Sequence, residues 1–214
     1  MTFRFKPVIL IYLVVFGTPL LFTITYLMAS SAGHDPTTIT STGIYPPESY
    51  IFRFGAFPLI TFMGFLFYFF NEWLDELGGN RSRPGRLSYY LALLACIFMV
   101  GALAVMQGPK ETLMKLHTVF AILFFVLMLV SQALYTFEDY KLRQVESKTA
   151  LWVRVGTNLL QLGLLASAIV RGISGGKFYP IYEWLITFTY FLWYSSFLFE
   201  RETVFTKNYR RSIR

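Results

Sequence analysis

Six long apolar stretches, separated by short polar connections, occupy most of this 214-residue chain. Read to within a few residues, they lie at 7–28, 50–70, 87–107, 116–137, 150–170 and 181–199. Each is close to the roughly 20 residues that an α-helix needs to cross about 30 Å of hydrocarbon. No water is present there to satisfy backbone N–H and C=O groups, so a spanning segment must bond within itself. The pattern predicts an all-α polytopic membrane protein. It forms a six-transmembrane-helix bundle, a single transmembrane domain over 1–214 whose last stretch, 200–214, is a basic tail.

Composition agrees with that reading. Hydrophobic residues are 55% of the chain, charged residues 14%, and mean hydropathy is +0.52. Arg4 and Lys6 before an apolar run, with small residues at 29–32, imitate a secretory signal and its cleavage site. The run is longer than the usual core of such a signal and contains Pro19, so an uncleaved first helix is expected.

Lys and Arg set the expected orientation. With the N-terminus in the cytosol, the cytosolic segments carry Arg4, Lys6, Arg81, Arg83, Arg86, Lys141, Arg143, Lys148, Arg201, Lys207, Arg210, Arg211 and Arg214. The opposite side carries Lys110, Lys115, Arg171 and Lys177. The positive-inside bias therefore puts both termini in the cytosol. The basic tail also suits anionic lipid, and nothing in the chain suggests a nucleic-acid partner.

Aromatics make up 19% of the residues, and Tyr45, Tyr50, Trp73, Tyr89, Tyr90, Tyr135, Trp152, Tyr179, Tyr182 and Trp184 fall near predicted helix ends, as an interfacial belt would. The single Cys96 excludes an intramolecular disulfide. Gly172 to Lys177 resembles half of a phosphate loop, but it lacks the following Ser or Thr and joins two membrane helices. No nucleophile elbow and no His-Glu-x-x-His is present. Only His34 and His117 exist, and His34 lies in a loop, which disfavours a haem held between helices. No cofactor and no metal site is expected.

The remaining chemistry gathers at the expected extracytosolic side. His34 and Asp35 lie in the first loop, and Arg53 is near the start of the second helix. Gln107, Glu111, Lys115 and His117 bracket the start of the fourth, Arg171 and Lys177 lie in the third outer loop, and Glu183 opens the sixth. Ionisable groups at membrane depth cost a few kcal/mol, so they pair, face the bundle interior and mark function. An Arg53–Glu183 ion pair is the structural expectation. The functional expectation is a lipid headgroup site in which Arg53, Arg171 and Lys177, with Asp35, bind the headgroup, while His117 and Glu183 are the catalytic candidates. On the cytosolic side, Arg154, Asn158 and Gln161 share one face of the fifth helix, and Arg154 is expected to meet Glu138 or Asp139 as inter-helix glue.

The first outer loop, Pro36-Thr37-Thr38-Ile39-Thr40-Ser41-Thr42-Gly43-Ile44-Tyr45-Pro46-Pro47-Glu48-Ser49-Tyr50-Ile51-Phe52, resembles the signature of a six-helix superfamily. Its members include the DRAM autophagy modulators, their plasma-membrane relatives, and Golgi and endoplasmic-reticulum factors that remodel the lipid of GPI anchors. The shared pattern is Ile-Ser/Thr, a short gap, Gly, two residues, one or two Pro, then an aromatic opening the second helix. Physically it reads as an extended lid stiffened by its prolines, with Gly43 supplying a tight turn. Leu116-His117 and Glu183-Trp184, at the expected starts of helices four and six, extend the resemblance. Tyr50 to Phe54, with Arg53 after an aromatic, is similar to the GPI-remodelling branch, and Pro46-Pro47-Glu48 is similar to the DRAM branch.

The resemblance implies a lipid-remodelling factor at the lumenal leaflet of the Golgi or endoplasmic reticulum. It would reacylate or exchange the lipid tail of GPI-anchored proteins or lyso-GPI, as a lipid-binding factor or an acyltransferase. The alternative it implies is a non-enzymatic DRAM-like protein of lysosomal or plasma membranes, in autophagy or phosphoinositide-related scaffolding with membrane-protein partners. A long Cys-bearing first loop, usual in the animal GPI factors, is absent. A transporter would show broken helices and paired repeats, and no internal repeat is evident.

The orientation is directly testable. Asn80-Arg81-Ser82 is a formal glycosylation sequon that this topology leaves unmodified, whereas a sequon engineered near Thr40 acquires glycan in a eukaryotic membrane. Glycan on Asn80, read by an endoglycosidase-sensitive mobility shift, would invert the topology.

Overall fold

The computed structural model describes residues 7–34, 36–78, 83–106, 111–143, 148–174 and 180–199. Six helices account for nearly all of them: α1 (Val8–Ser31), α2 (Glu48–Gly78), α3 (Arg83–Val105), α4 (Glu111–Arg143), α5 (Lys148–Ile173) and α6 (Pro180–Ser195). Short 3-10 helices follow at Thr40–Gly43, between α1 and α2, and at Ser196–Phe199, after α6. No strand occurs among the described residues. The chain is a polytopic helical membrane protein.

Each helix packs on its sequence neighbours, and α1 also packs on α6, so the bundle closes into a ring. At one end, called the lid end here, α1 gives way to the Thr40–Gly43 turn and α2 begins. The opposite end is called the tail end.

The apolar stretches marked the helices correctly but not their ends. α2 and α4 run to 31 and 33 residues because polar turns continue the hydrogen-bond ladder beyond the hydrocarbon. α1 to α5 are each long and apolar enough to cross a membrane. α6 has 16 residues, but the 3-10 turn after it carries the rod to Phe199. At about 1.5 Å per α-helical and 2.0 Å per 3-10 residue, it reaches roughly 32 Å, enough to span.

Lipid supplies no hydrophobic force between helices, so close packing and internal polar bonds hold them together. Small residues bring neighbours close. A Cβ on Gly55 would meet Leu21 Cδ1 at 2.5 Å, and one on Gly101 would meet Phe120 at 3.0 Å. Ser88 and Ser131 lock α3 to α4 by each donating its hydroxyl to the other's carbonyl, at 2.8 and 2.6 Å.

The tail end holds a second, more polar tie. Arg154 on α5, buried with 1% exposure, donates to Asp139 of α4 at 2.6 Å and to the Ser196 hydroxyl at 2.8 Å. Its guanidinium also lies 3.8 Å from the Phe197 ring centroid. The expected inter-helix glue is therefore present, with Asp139 as its carboxylate. Beside it, Trp193 packs among Phe67, Phe70 and Tyr135 and donates its indole N–H to Thr136 at 3.0 Å. Trp73 and Tyr135 depart from the expected aromatic belt and are core residues, at 5% and 1% exposure. Their helices extend past the predicted ends, so these rings stand in the packed interior.

Removing one partner of a buried ion pair strands the other charge, at a cost of about 3 to 5 kcal/mol. Asp139→Ala is expected to lower the thermal unfolding midpoint of detergent-solubilised protein sharply. Trp152→Ala, at a side chain 69% exposed, should change it little. An unchanged midpoint for Asp139→Ala would show that the pair does not hold the tail end.

Candidate functional site

A cavity of about 100 Å³ opens beneath the lid, walled by α1, α2, α3, α4 and α6. Its walls are overwhelmingly apolar, and Thr40, His117 and Glu183 form a polar cap at the top. Each comes from a different element: the 3-10 turn, α4 and the first turn of α6.

The three groups form one hydrogen-bonded chain. The Thr40 amide donates to Glu183 Oε1 at 2.8 Å, and the Thr40 hydroxyl lies 2.6 Å from the same oxygen. That hydroxyl also stands 3.1 Å from His117 Nε2. On the other side of the ring, Nδ1 is 3.0 Å from the Ala102 carbonyl, which can only accept, so Nδ1 carries a proton.

The rest follows by counting hydrogens. Thr40 has one hydroxyl hydrogen and can give it to Glu183 or to His117, not to both. If it goes to Glu183, the bond to His117 requires a proton on Nε2 as well, making an imidazolium beside a carboxylate. If it goes to His117, the bond to Glu183 requires a protonated carboxyl. The complete chain thus holds one proton shared between His117 and Glu183, with the Thr40 hydroxyl as the conduit. This differs from a Ser-His-Asp triad, in which the carboxylate orients the imidazole rather than touching the hydroxyl.

The lid is built to sit there. Thr38 and Ser41 bond each other through backbone amide and hydroxyl at 2.9 Å in both directions, and the Trp184 indole donates to the Thr37 carbonyl at 3.2 Å. Gly43 lies in the 3-10 turn rather than in an extended stretch, and its backbone needs no positive φ. Its requirement is space: a Cβ there would lie 2.6 Å from Phe52 and 2.7 Å from Met106. Gly43 thus stands in a tight turn as expected, and close packing rather than backbone conformation is what requires glycine there. Farther along the loop, the Pro46–Pro47 peptide is cis, and the His34 ring pairs with fully buried Glu48 and lies against Tyr45.

The sequence-based site residues separate into three groups. His117 and Glu183 are brought together by Thr40. Arg53 lies beside the cavity rather than in its cap, with its guanidinium donating to the Met106 carbonyl and its Nε buried without a partner. The expected Arg53–Glu183 pair does not form, because Glu183 is engaged by Thr40 and Arg53 by the end of α3. Arg171, at the exposed end of α5, lies 6.0 Å from the Tyr182 ring centroid and does not line the cavity. Asp35 and Lys177 lie outside the described residues, as does Asn80. His117 sits nearly two turns inside α4, which begins at Glu111 rather than at Leu116.

Thr40 had no assigned role in the sequence, although it is the Ser/Thr of the Ile-Ser/Thr loop pattern. A small polar residue in a loop rich in Thr and Ser carries no local sign of a contact with α6. Its partner is 143 positions away. No group of three or more His, Cys, Asp or Glu residues that could hold a metal ion occurs among the described residues.

No match to a curated protein or to a solved structure was found. The family described as Frag1/DRAM/Sfk1/Cwh43P N-terminal domain matches residues 5–203. A six-helix bundle of this kind, capped by a loop with the Ile39-Thr40 and Pro46-Pro47 features, is thereby assigned: the chain belongs to the Frag1/DRAM/Sfk1/Cwh43P family.

Proposed function

We propose that the protein is a lipid-remodelling factor for GPI anchors, working on a membrane lipid held with its tail in the cavity and its polar linkage at Thr40, His117 and Glu183. The observation that carries this reading is a hydrogen-bonded acid–base chain placed at the top of an apolar cavity inside a membrane bundle. The family supports it, since the Cwh43 member of its description is linked to GPI lipid remodelling. In this reading the lid end faces the lumen of the Golgi or endoplasmic reticulum, and Arg53 lies at the depth of lipid phosphates.

The chemistry that suits the cap is transfer of an acyl group between lipid oxygens. The free hydroxyl of a lyso-lipid takes the place of the Thr40 hydroxyl between His117 and Glu183. Its oxygen attacks the carbonyl carbon of an ester in a second membrane lipid, and its proton passes to His117 Nε2. The new C–O bond forms, the donor's C–O bond breaks, and His117 returns the proton to the departing alkoxide. No oxidant or metal is required.

In cells lacking the endogenous factor, the wild-type protein is expected to restore stable GPI-anchored proteins at the surface and the remodelled tail seen by lipid mass spectrometry. His117→Ala and Glu183→Gln at equal expression should lower the remodelled fraction by about 100-fold, in line with loss of a general acid–base group. Arg53→Ala should also fail to rescue. Normal tails in all three variants, or no rescue by the wild type, would favour the DRAM-like scaffolding role instead.

A further inference from the structure

The shape of the cavity says more about its ligand than the cap does. On α4 it runs from His117 to Phe125, and on α2 from Phe52 to Met63. At about 1.5 Å per residue these spans give a depth of roughly 12 to 16 Å. Spread over that depth, a volume of about 100 Å³ for the centres of water-sized groups of about 1.4 Å radius amounts to a channel of roughly 3 Å free radius. Depth and volume therefore agree on one narrow alkyl segment, and two chains side by side would not fit.

The wall on the α4 and α6 side is backed by a third helix. α4 and α6 both line the cavity but their backbones scarcely meet, because α5 packs on both and stands between them. Half-buried Ala121 and Thr187 face the cavity on this side. Below them, the Tyr190 hydroxyl donates to the Phe125 carbonyl and closes the cavity at its foot. Met63 of α2 and Met99 of α3 complete the floor, and Met is the side chain that adapts most readily to an irregular apolar partner.

We infer that the cavity holds a single fatty acyl chain. Its polar end lies under Thr40, and its buried segment ends on a floor of Met63, Met99 and Tyr190. The bound species is thus a lipid with one chain, either a lysolipid or a free fatty acid, and not a diacyl lipid. Bulk at Ala121 fills the upper part of the chain's path, and bulk at Met63 governs the length of chain held. This inference rests on the remodelling reading for its cap, while the chain site itself is testable without any remodelling assay.

The test uses the purified full-length chain in nanodiscs with photoactivatable fatty acids. Each probe carries its diazirine either beside the carboxylate or about ten carbons along, and labelled peptides are identified by mass spectrometry. Labelling is expected to move from the segments holding Thr40 and His117 to those holding Met63, Met99 and Tyr190 as the diazirine moves down the chain. A diacyl phospholipid with the same diazirine should label the lipid-facing surface but not the floor.

Ala121→Trp should reduce cavity labelling about tenfold or more. Met63→Trp should abolish floor labelling while sparing the cap, and thermal unfolding checks that both variants are folded. Unlabelled lysophosphatidylinositol and unlabelled fatty acid as separate competitors tell the two sources apart. Labelling that ignores diazirine position, equal floor labelling by the diacyl probe, or full labelling of folded Ala121→Trp would overturn the inference. Position-dependent labelling without rescue in cells would leave the chain site standing and remove the GPI reading. Rescue without cavity labelling would do the reverse.

Discussion

The buried Arg154–Asp139 ion pair decides where this bundle is clamped. By tying α5 to α4, and through Ser196 and Phe197 to the end of α6, it brings three helices together at the tail end. A charge pair inside a protein is a modest source of stability but a strong geometric constraint, because any arrangement that separates it strands two charges. The aromatic cluster around Trp193 fills the space beside that clamp. Toward the lid end the helices enclose the apolar cavity walled by α1, α2, α3, α4 and α6.

The lid end is organised on a different principle. Its polar ties are few and directional: two bonds from Thr40 to Glu183, one contact to His117, and one indole bond to the Thr37 carbonyl. Packing adds to them, since Ile39 and Thr42 are buried and Gly43 sits tightly against Phe52 and Met106. The lid is therefore seated by directional bonds and close packing together, while the clamp at the far end keeps the helices in register.

Much of this was legible in the sequence. Apolar runs of membrane-spanning length leave helices as the one available structure, and the i, i+4, i+7 placement of Arg154, Asn158 and Gln161 on one face pointed to a contact with Glu138 or Asp139, of which the Asp139 pair is formed. The Arg53–Glu183 pairing was not legible, because opposite charges at similar depth look like partners until the nearer neutral groups are placed. Here the Thr40 hydroxyl and the Met106 carbonyl intervene. Thr40 itself shows the limit most clearly. Its importance comes from where the lid lands on α6, a long-range contact that no local pattern encodes, although the loop carrying it was the most distinctive stretch of the chain.

The shortness of α6 also bears on the membrane around the protein. α4 is 33 residues long and can tilt or project from a bilayer of almost any ordinary thickness, but α6 has no such reserve. Its apolar rod ends at Phe199, and the next residues are Glu200 and Arg201. A thicker, sterol-rich bilayer would have to thin locally around α6 or draw those charges inward, each at a fraction of a kcal/mol per Å of mismatch. Hydrophobic matching at this one helix therefore makes the protein's seating sensitive to the thickness of the bilayer around it.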